Sequence, residues 1–135
     1  MLKHELTHSF IHSITRGQCP RWLNEGLAMI MEPKSSAPYG QALARLFAAG
    51  KQAPLASLEG SFTKFSSEQA TLAYVESLAA TEYLRSNYGM RAVQHMLQLI
   101  SDGESGEAAL RAATHSGYQQ FEEDLGVYLA KNGAQ

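Results

Sequence analysis

The 135-residue sequence is 44% apolar, 9% aromatic and 18% charged, which is typical of a single globular domain. Its net charge of −2, without a basic cluster, excludes the charge pattern of a nucleic-acid-binding protein. No apolar run approaches the roughly 18 residues that a membrane span needs, so no span is predicted. A single cysteine, Cys19, excludes an internal disulfide and a zinc site built from cysteines, which leaves His and carboxylate side chains as metal ligands.

Apolar residues recur at helical spacing along most of the chain, and no segment shows the period of two that is typical of strands. The predicted helices, in chain order, cover residues 2–16, 20–32, 41–49, 66–88, a stretch around 93–100, and two shorter stretches near 107–114 and 118–130. Ser66 or Ser67 is the predicted cap of the longest helix, and Gly89 its predicted end. Residues 33–40 and 51–65 contain Pro, Ser and Gly and are predicted connections.

We therefore predict an all-α fold, a bundle of about six helices in a single domain over residues 1–135. Residues 1–32 form a helix pair, residues 33–65 a helix and an irregular connection, and residues 66–131 the C-terminal helices. The first helical pattern begins at Leu2 without a capping residue and without the charged and apolar regions of a signal peptide. We expect the chain to be the C-terminal part of a longer protein with an upstream domain. The sequence does not indicate the cellular compartment of the protein.

The sequence HELTH at residues 4–8 is an HExxH motif on the first predicted helix. His4 and His8 are four residues apart and therefore lie on one helix face, about 6 Å apart along the axis, where both imidazoles can reach one Zn²⁺. Glu5 lies on the flank of that face and can take a proton from a zinc-bound water as a general base. The alternative is that these residues form an exposed polar helix face, which matches the motif by chance and binds no metal. The apolar residues expected to anchor this helix to the core from its opposite face are Leu6, Phe10 and Ile14.

A third ligand is predicted on the second helix, where Glu25 follows His8 by 17 residues within the segment WLNEGLA. A catalytic zinc needs a third protein ligand and one open position. A short turn at residues 17–20 would fold the two helices antiparallel and bring Glu25 opposite both imidazoles, and the small residues Gly26 and Ala28 would let these helices approach closely. Taken alone, Glu25 would be a surface carboxylate, as most Glu residues are. No side chain that orients either imidazole is identified from the sequence.

HELTH followed by WLNEGLA resembles the gluzincin metallopeptidases, in particular the peptidase MA-like and aminopeptidase N-like families. The resemblance implies that His4, His8 and Glu25 bind Zn²⁺ and that Glu5 is the general base. The segment YVES is similar to the helix of these families that carries a tyrosine stabilising the oxyanion, and Tyr74 is the matching position. A tyrosine on an amphipathic helix is otherwise most often a packed residue with its hydroxyl at the rim.

The sequence departs from these families in two respects. The thermolysin branch has an Asp four residues after the ligand Glu, where this chain has Met29. The strand-bearing half that precedes the motif in related enzymes is not among these 135 residues, which leaves exopeptidase and endopeptidase action open. The predicted function is that of a zinc-dependent peptidase, or its catalytic lobe, acting on a peptide or protein substrate. The alternative is a non-catalytic helical interaction module, or an inactive remnant, that binds zinc structurally or not at all.

Overall fold

The computed structural model describes residues 2–32 and 34–133, and the side chains of residues 5–32 and 34–132. Over these ranges the chain is helical and contains no strand, which confirms the predicted all-α fold. The α-helices are α1 (Leu2–Thr15), α2 (Arg21–Met31), α3 (Gly40–Ala48), α4 (Ser67–Tyr88), α5 (Met90–Ser101), α6 (Gly106–Thr114) and α7 (Tyr118–Gly133). Short 3-10 helices cover Ala37–Tyr39 and Leu55–Leu58 in the two predicted connections. None of the described helices is both long and apolar enough to cross a bilayer.

Helix α2 is the central element and packs against both α1 and α4. Its residues Trp22 and Leu23 are fully buried. The Trp22 indole Nε1 donates to the Tyr118 hydroxyl at 3.2 Å, and that hydroxyl donates to Glu59 Oε2 at 2.8 Å. The Arg21 N–H also donates to the Glu59 carbonyl at 2.9 Å. The N-terminal end of α2 is therefore fixed by hydrogen bonds to residues that are distant in sequence.

The contact between α2 and α4 depends on Gly26. A Cβ atom at this position would lie 1.9 Å from Thr81 Oγ1 and 2.6 Å from the Ser77 carbonyl oxygen, far inside van der Waals contact. Only a residue without a side chain lets the two helices approach this closely. The prediction that Gly26 serves the approach of α1 is wrong, because Gly26 lies on the side of α2 that faces α4.

Helix α1 buries a different face from the predicted one. Ile11 is 2% exposed and Thr15 is fully buried, whereas Leu6 is 60% exposed and Phe10 is 65% exposed. The prediction that Leu6, Phe10 and Ile14 anchor this helix is therefore wrong, and Ile14 is only half-buried. The second histidine of the motif precedes Ile11 by three residues and Thr15 by seven, so all three share one helix face. The face that packs α1 onto the protein is also the face that carries this imidazole.

Helix α4 begins where the sequence predicts. Ser66 Oγ accepts the Gln69 N–H at 3.2 Å, and the Gln69 side chain accepts the Ser66 N–H at 3.1 Å, which together form a capping box. The helix ends at Gly89, whose φ of +84° is a conformation that favours glycine. These two ends define a helix of 22 residues, which carries Tyr74.

Candidate metal centre

Helices α1 and α2 fold back on each other through a turn in which Gly17 has a φ of +76°. This arrangement brings together His8 and Glu25, whose Nε2 and Oε1 atoms lie 3.1 Å apart. The Glu25 carboxylate is buried, whereas the His8 side chain is 25% exposed. Two of the three predicted ligands are therefore neighbours, at a place that solvent can reach from the His8 side.

Two further side chains hold this pair. His8 Nδ1 lies 2.6 Å from Asn24 Oδ1, an acceptor to which Nδ1 donates, and Nε2 is therefore the ring nitrogen that faces Glu25. Arg21 Nη1 lies 3.6 Å from Glu25 Oε2, the carboxylate oxygen on the other side from His8. Sequence reasoning missed both residues. Their spacing from Glu25 could have indicated both residues, because Asn24 directly precedes Glu25 and Arg21 lies one helical turn before it.

The donor set of this pair fits a divalent cation such as Zn²⁺. Two ligands at about 2.0–2.2 Å from a tetrahedral zinc ion lie roughly 3.3 Å apart. The separation of His8 Nε2 from Glu25 Oε1 is 3.1 Å, close to that value. An imidazole lone pair and a carboxylate oxygen are both acceptors, so this approach is favourable only with a proton or a cation between them.

The remaining predicted site residues are less fully described. The side chain of His4 lies outside the described residues, and among those described no three His, Cys, Asp or Glu side chains form a group that could hold a metal. Glu5 is exposed and lies in the first turn of α1. Tyr74 is 39% exposed, and its ring makes an edge contact with Phe62, with 5.2 Å between the ring centroids.

Tyr74 shares a helix face with the residues through which α4 contacts α2. Tyr74, Ser77 and Thr81 are spaced three and four residues apart, which places them on one side of the helix. Ser77 and Thr81 are the residues that meet Gly26, the neighbour of Glu25. This register sets Tyr74 on the α2 side of α4, and its role towards an oxyanion stays a prediction.

A second buried carboxyl lies on α4, two residues after Tyr74. Glu76 is 2% exposed and accepts the Ala53 N–H at 2.8 Å. Burial raises the pKa of Glu76 to about 7, helped by the nearby Glu122 and opposed by the Ala53 hydrogen bond. Glu122 on α7 accepts the Leu55 N–H at 3.1 Å. These contacts tie α4 and α7 to the connection between α3 and α4, so we assign Glu76 to the stability of the fold.

Comparison with protein-family models matches the chain to the Peptidase MA superfamily over residues 1–129. Comparison with curated proteins and with solved structures gives no significant match. The matched range contains the HExxH motif of α1, the WLNEG segment of α2 and all but the last residues of α7. The family supports a peptidase kind of function. Since the match covers nearly the whole sequence, the chain belongs to the Peptidase MA superfamily.

Proposed function

We propose that the chain is a zinc-dependent peptidase, complete or as the catalytic lobe of a longer protein. In this proposal His4, His8 and Glu25 bind Zn²⁺, Glu5 is the general base, and Tyr74 donates to the developing oxyanion. The family supports peptide hydrolysis in general. The metal site rests on one observation, the 3.1 Å separation between His8 Nε2 and Glu25 Oε1 across the α1–α2 pair.

The side chains around this pair have distinct tasks. When bound, Zn²⁺ polarises the scissile carbonyl and lowers the pKa of an attacking water. Asn24 holds the His8 ring with Nε2 towards the ion, and Arg21 holds Glu25 Oε2 so that Oε1 faces His8. Glu5, three residues before His8 and exposed, accepts the proton of the attacking water and delivers it to the leaving amine.

Metal content is the first test of this proposal. We expect the wild-type protein to retain one equivalent of Zn²⁺ after dialysis, and His4→Ala and Glu25→Ala to lose it, because each removes one of three ligands. His12→Ala is the matched control, since it removes an exposed imidazole from the same helix and should leave zinc content unchanged. Unchanged zinc content in both ligand variants would contradict the site.

Peptide hydrolysis is the second test. We expect the zinc-loaded protein to cut members of a synthetic peptide library, followed by mass spectrometry. Glu5→Gln should retain zinc and lose roughly 10²–10⁴-fold in rate, because it removes the proton acceptor. Equal rates in both proteins would refute the assignment of the base. A wild-type protein that binds zinc and cuts no peptide would instead support the non-catalytic alternative.

A further inference from the structure

A hollow of about 360 Å³ lies directly beside the His8–Glu25 pair. His8 and Asn24 belong to its lining, which also contains Arg21, Ser9 and His12. Among the described residues, its lining contains one permanent cation, Arg21, and no Asp or Glu residue, while the Glu25 carboxylate contacts Arg21 and His8 from outside the lining. A concave site with hydrogen-bond donors, a positive charge and no acidic side chain favours an anionic group.

Arg21 is placed to hold such a group. Its contact with Glu25 is a single long one, 3.6 Å from Nη1 to Oε2, and its side chain is 41% exposed. A guanidinium has five N–H donors in a planar fork, which matches the two oxygens of a carboxylate. The contact with Glu25 involves one nitrogen and leaves donors on the others for a ligand. The backbone at Arg21 is fixed by its hydrogen bond to the Glu59 carbonyl, so the side chain extends from a rigid position.

The other lining groups are compatible with a negative charge. Asn24 uses its oxygen for His8, so its amide N–H groups are the part of the side chain suited to an anion. Ser9 contributes a hydroxyl donor. The Cys19 thiol also lines the hollow, and burial raises its pKa to about 12, so it carries no charge that would repel an anion at neutral pH.

We propose that this hollow receives a carboxylate of the peptide substrate, held by the Arg21 guanidinium. The inference rests on the proposed peptidase function. Because His8 belongs both to the metal pair and to the lining, this proposal places the carboxylate next to the scissile bond. Two parts of a peptide carry this chemistry, the C-terminal carboxylate and the side chain of Asp or Glu. The substrate class is therefore peptides with an acidic group next to the cleaved bond.

Matched peptides test this specificity and separate its two sources. One set has the same sequence with a free or an amidated C-terminus, and a second set exchanges Glu for Gln next to the cleaved bond. In one of the two sets, we expect KM to be about 10–100-fold lower for the acidic peptide than for its neutral counterpart, as for a charge-assisted hydrogen bond. The set that shows this difference identifies the source of the carboxylate. Arg21→Gln should abolish the difference, and Arg21→Lys should keep part of it. Equal KM values for acidic and neutral peptides in the wild-type protein would overturn the inference and leave the proposed function intact.

A matched arginine serves as the control. Arg45 is exposed on α3, which packs chiefly against α7 rather than against the α1–α2 pair. Arg45→Gln removes the same charge and should retain the full preference for acidic peptides. Zinc content is measured for each protein, because Arg21 also contacts a proposed ligand. A preference that persists in zinc-loaded Arg21→Gln would assign it to another group and overturn the inference.

Calorimetric binding gives a readout that does not depend on turnover. Two proteins are titrated, the Glu5→Gln variant and the double variant that also carries Arg21→Gln. The ligand is an acetylated tripeptide, used as the free acid and as the amide. We expect the free acid to bind about 10–100-fold more tightly, and only when Arg21 is present. Binding of the free acid through Arg21 in a chain that cuts no peptide would overturn the proposed function and support the carboxylate site.

Discussion

The buried carboxyl of Glu76 makes the stability of the fold depend on pH. Burial raises its pKa from 4.5 to about 7, so the folded protein keeps this proton at pH values where the unfolded chain has released it. The stabilising contribution is complete below pH 4.5 and is lost as the pH rises through about 7. The difference between the two pKa values corresponds to about 3 kcal/mol in the free energy of unfolding.

Glu76→Gln should remove this dependence, because the amide stays neutral and keeps an oxygen that accepts the Ala53 N–H. The measurement is urea unfolding of the zinc-free protein at about pH 5 and pH 8. We expect the wild-type free energy of unfolding to fall by about 2–3 kcal/mol more than that of the variant over this range. Glu123→Gln, an exposed carboxylate on α7, is the matched control and should follow the wild-type profile.

Parallel profiles for the wild-type protein and Glu76→Gln would refute this reasoning. They would mean that the carboxyl releases its proton near its ordinary pKa in spite of being 2% exposed. If the parallel profile of the variant also lies lower by the same free energy at both pH values, the amide in addition disturbs the Ala53 contact.

Two further predictions concern α2. Gly26→Ala should lower the free energy of unfolding by about 3 kcal/mol or more, because its Cβ would lie 2.6 Å from a backbone oxygen of α4. Gly40→Ala, where nothing lies within 4 Å, should be neutral or stabilising by up to about 1 kcal/mol in the same thermal and urea assays. Asn24→Ala should weaken zinc binding by roughly 10–100-fold in a chelator competition, and Asn24→Asp should retain it because the acceptor oxygen remains. Equal affinity in Asn24→Ala would show that the His8 ring needs no such partner.

The sequence predicts the helices well because their ends have local causes. A capping serine and a glycine with positive φ mark the limits of α4, and both are visible without any tertiary information. The approach of His8 and Glu25 is also predictable, since a helical motif and a short turn leave few ways to place a carboxylate 17 residues later.

Tertiary packing determines the features that the sequence does not reveal. Helix α1 has apolar residues on two faces, and only its packing against α2 and α5 decides that Ile11 is buried and Phe10 is exposed. Gly26 likewise lies against Ser77 and Thr81 only because α4 packs on that side of α2. Glu76 is missed because a glutamate is most often a surface residue, and its burial follows from the connection that folds over α4.

The double use of one face of α1 has a thermodynamic consequence. His8 and Ile11 face the same way, so detachment of α1 from α2 separates the proposed ligands at the same moment as it exposes the apolar contact. Under the proposed function, occupancy by the ion and docking of this helix are linked equilibria, and each strengthens the other by the same amount. A chelator would then loosen the first helix while the rest of the bundle remains folded, which amide hydrogen exchange can resolve residue by residue.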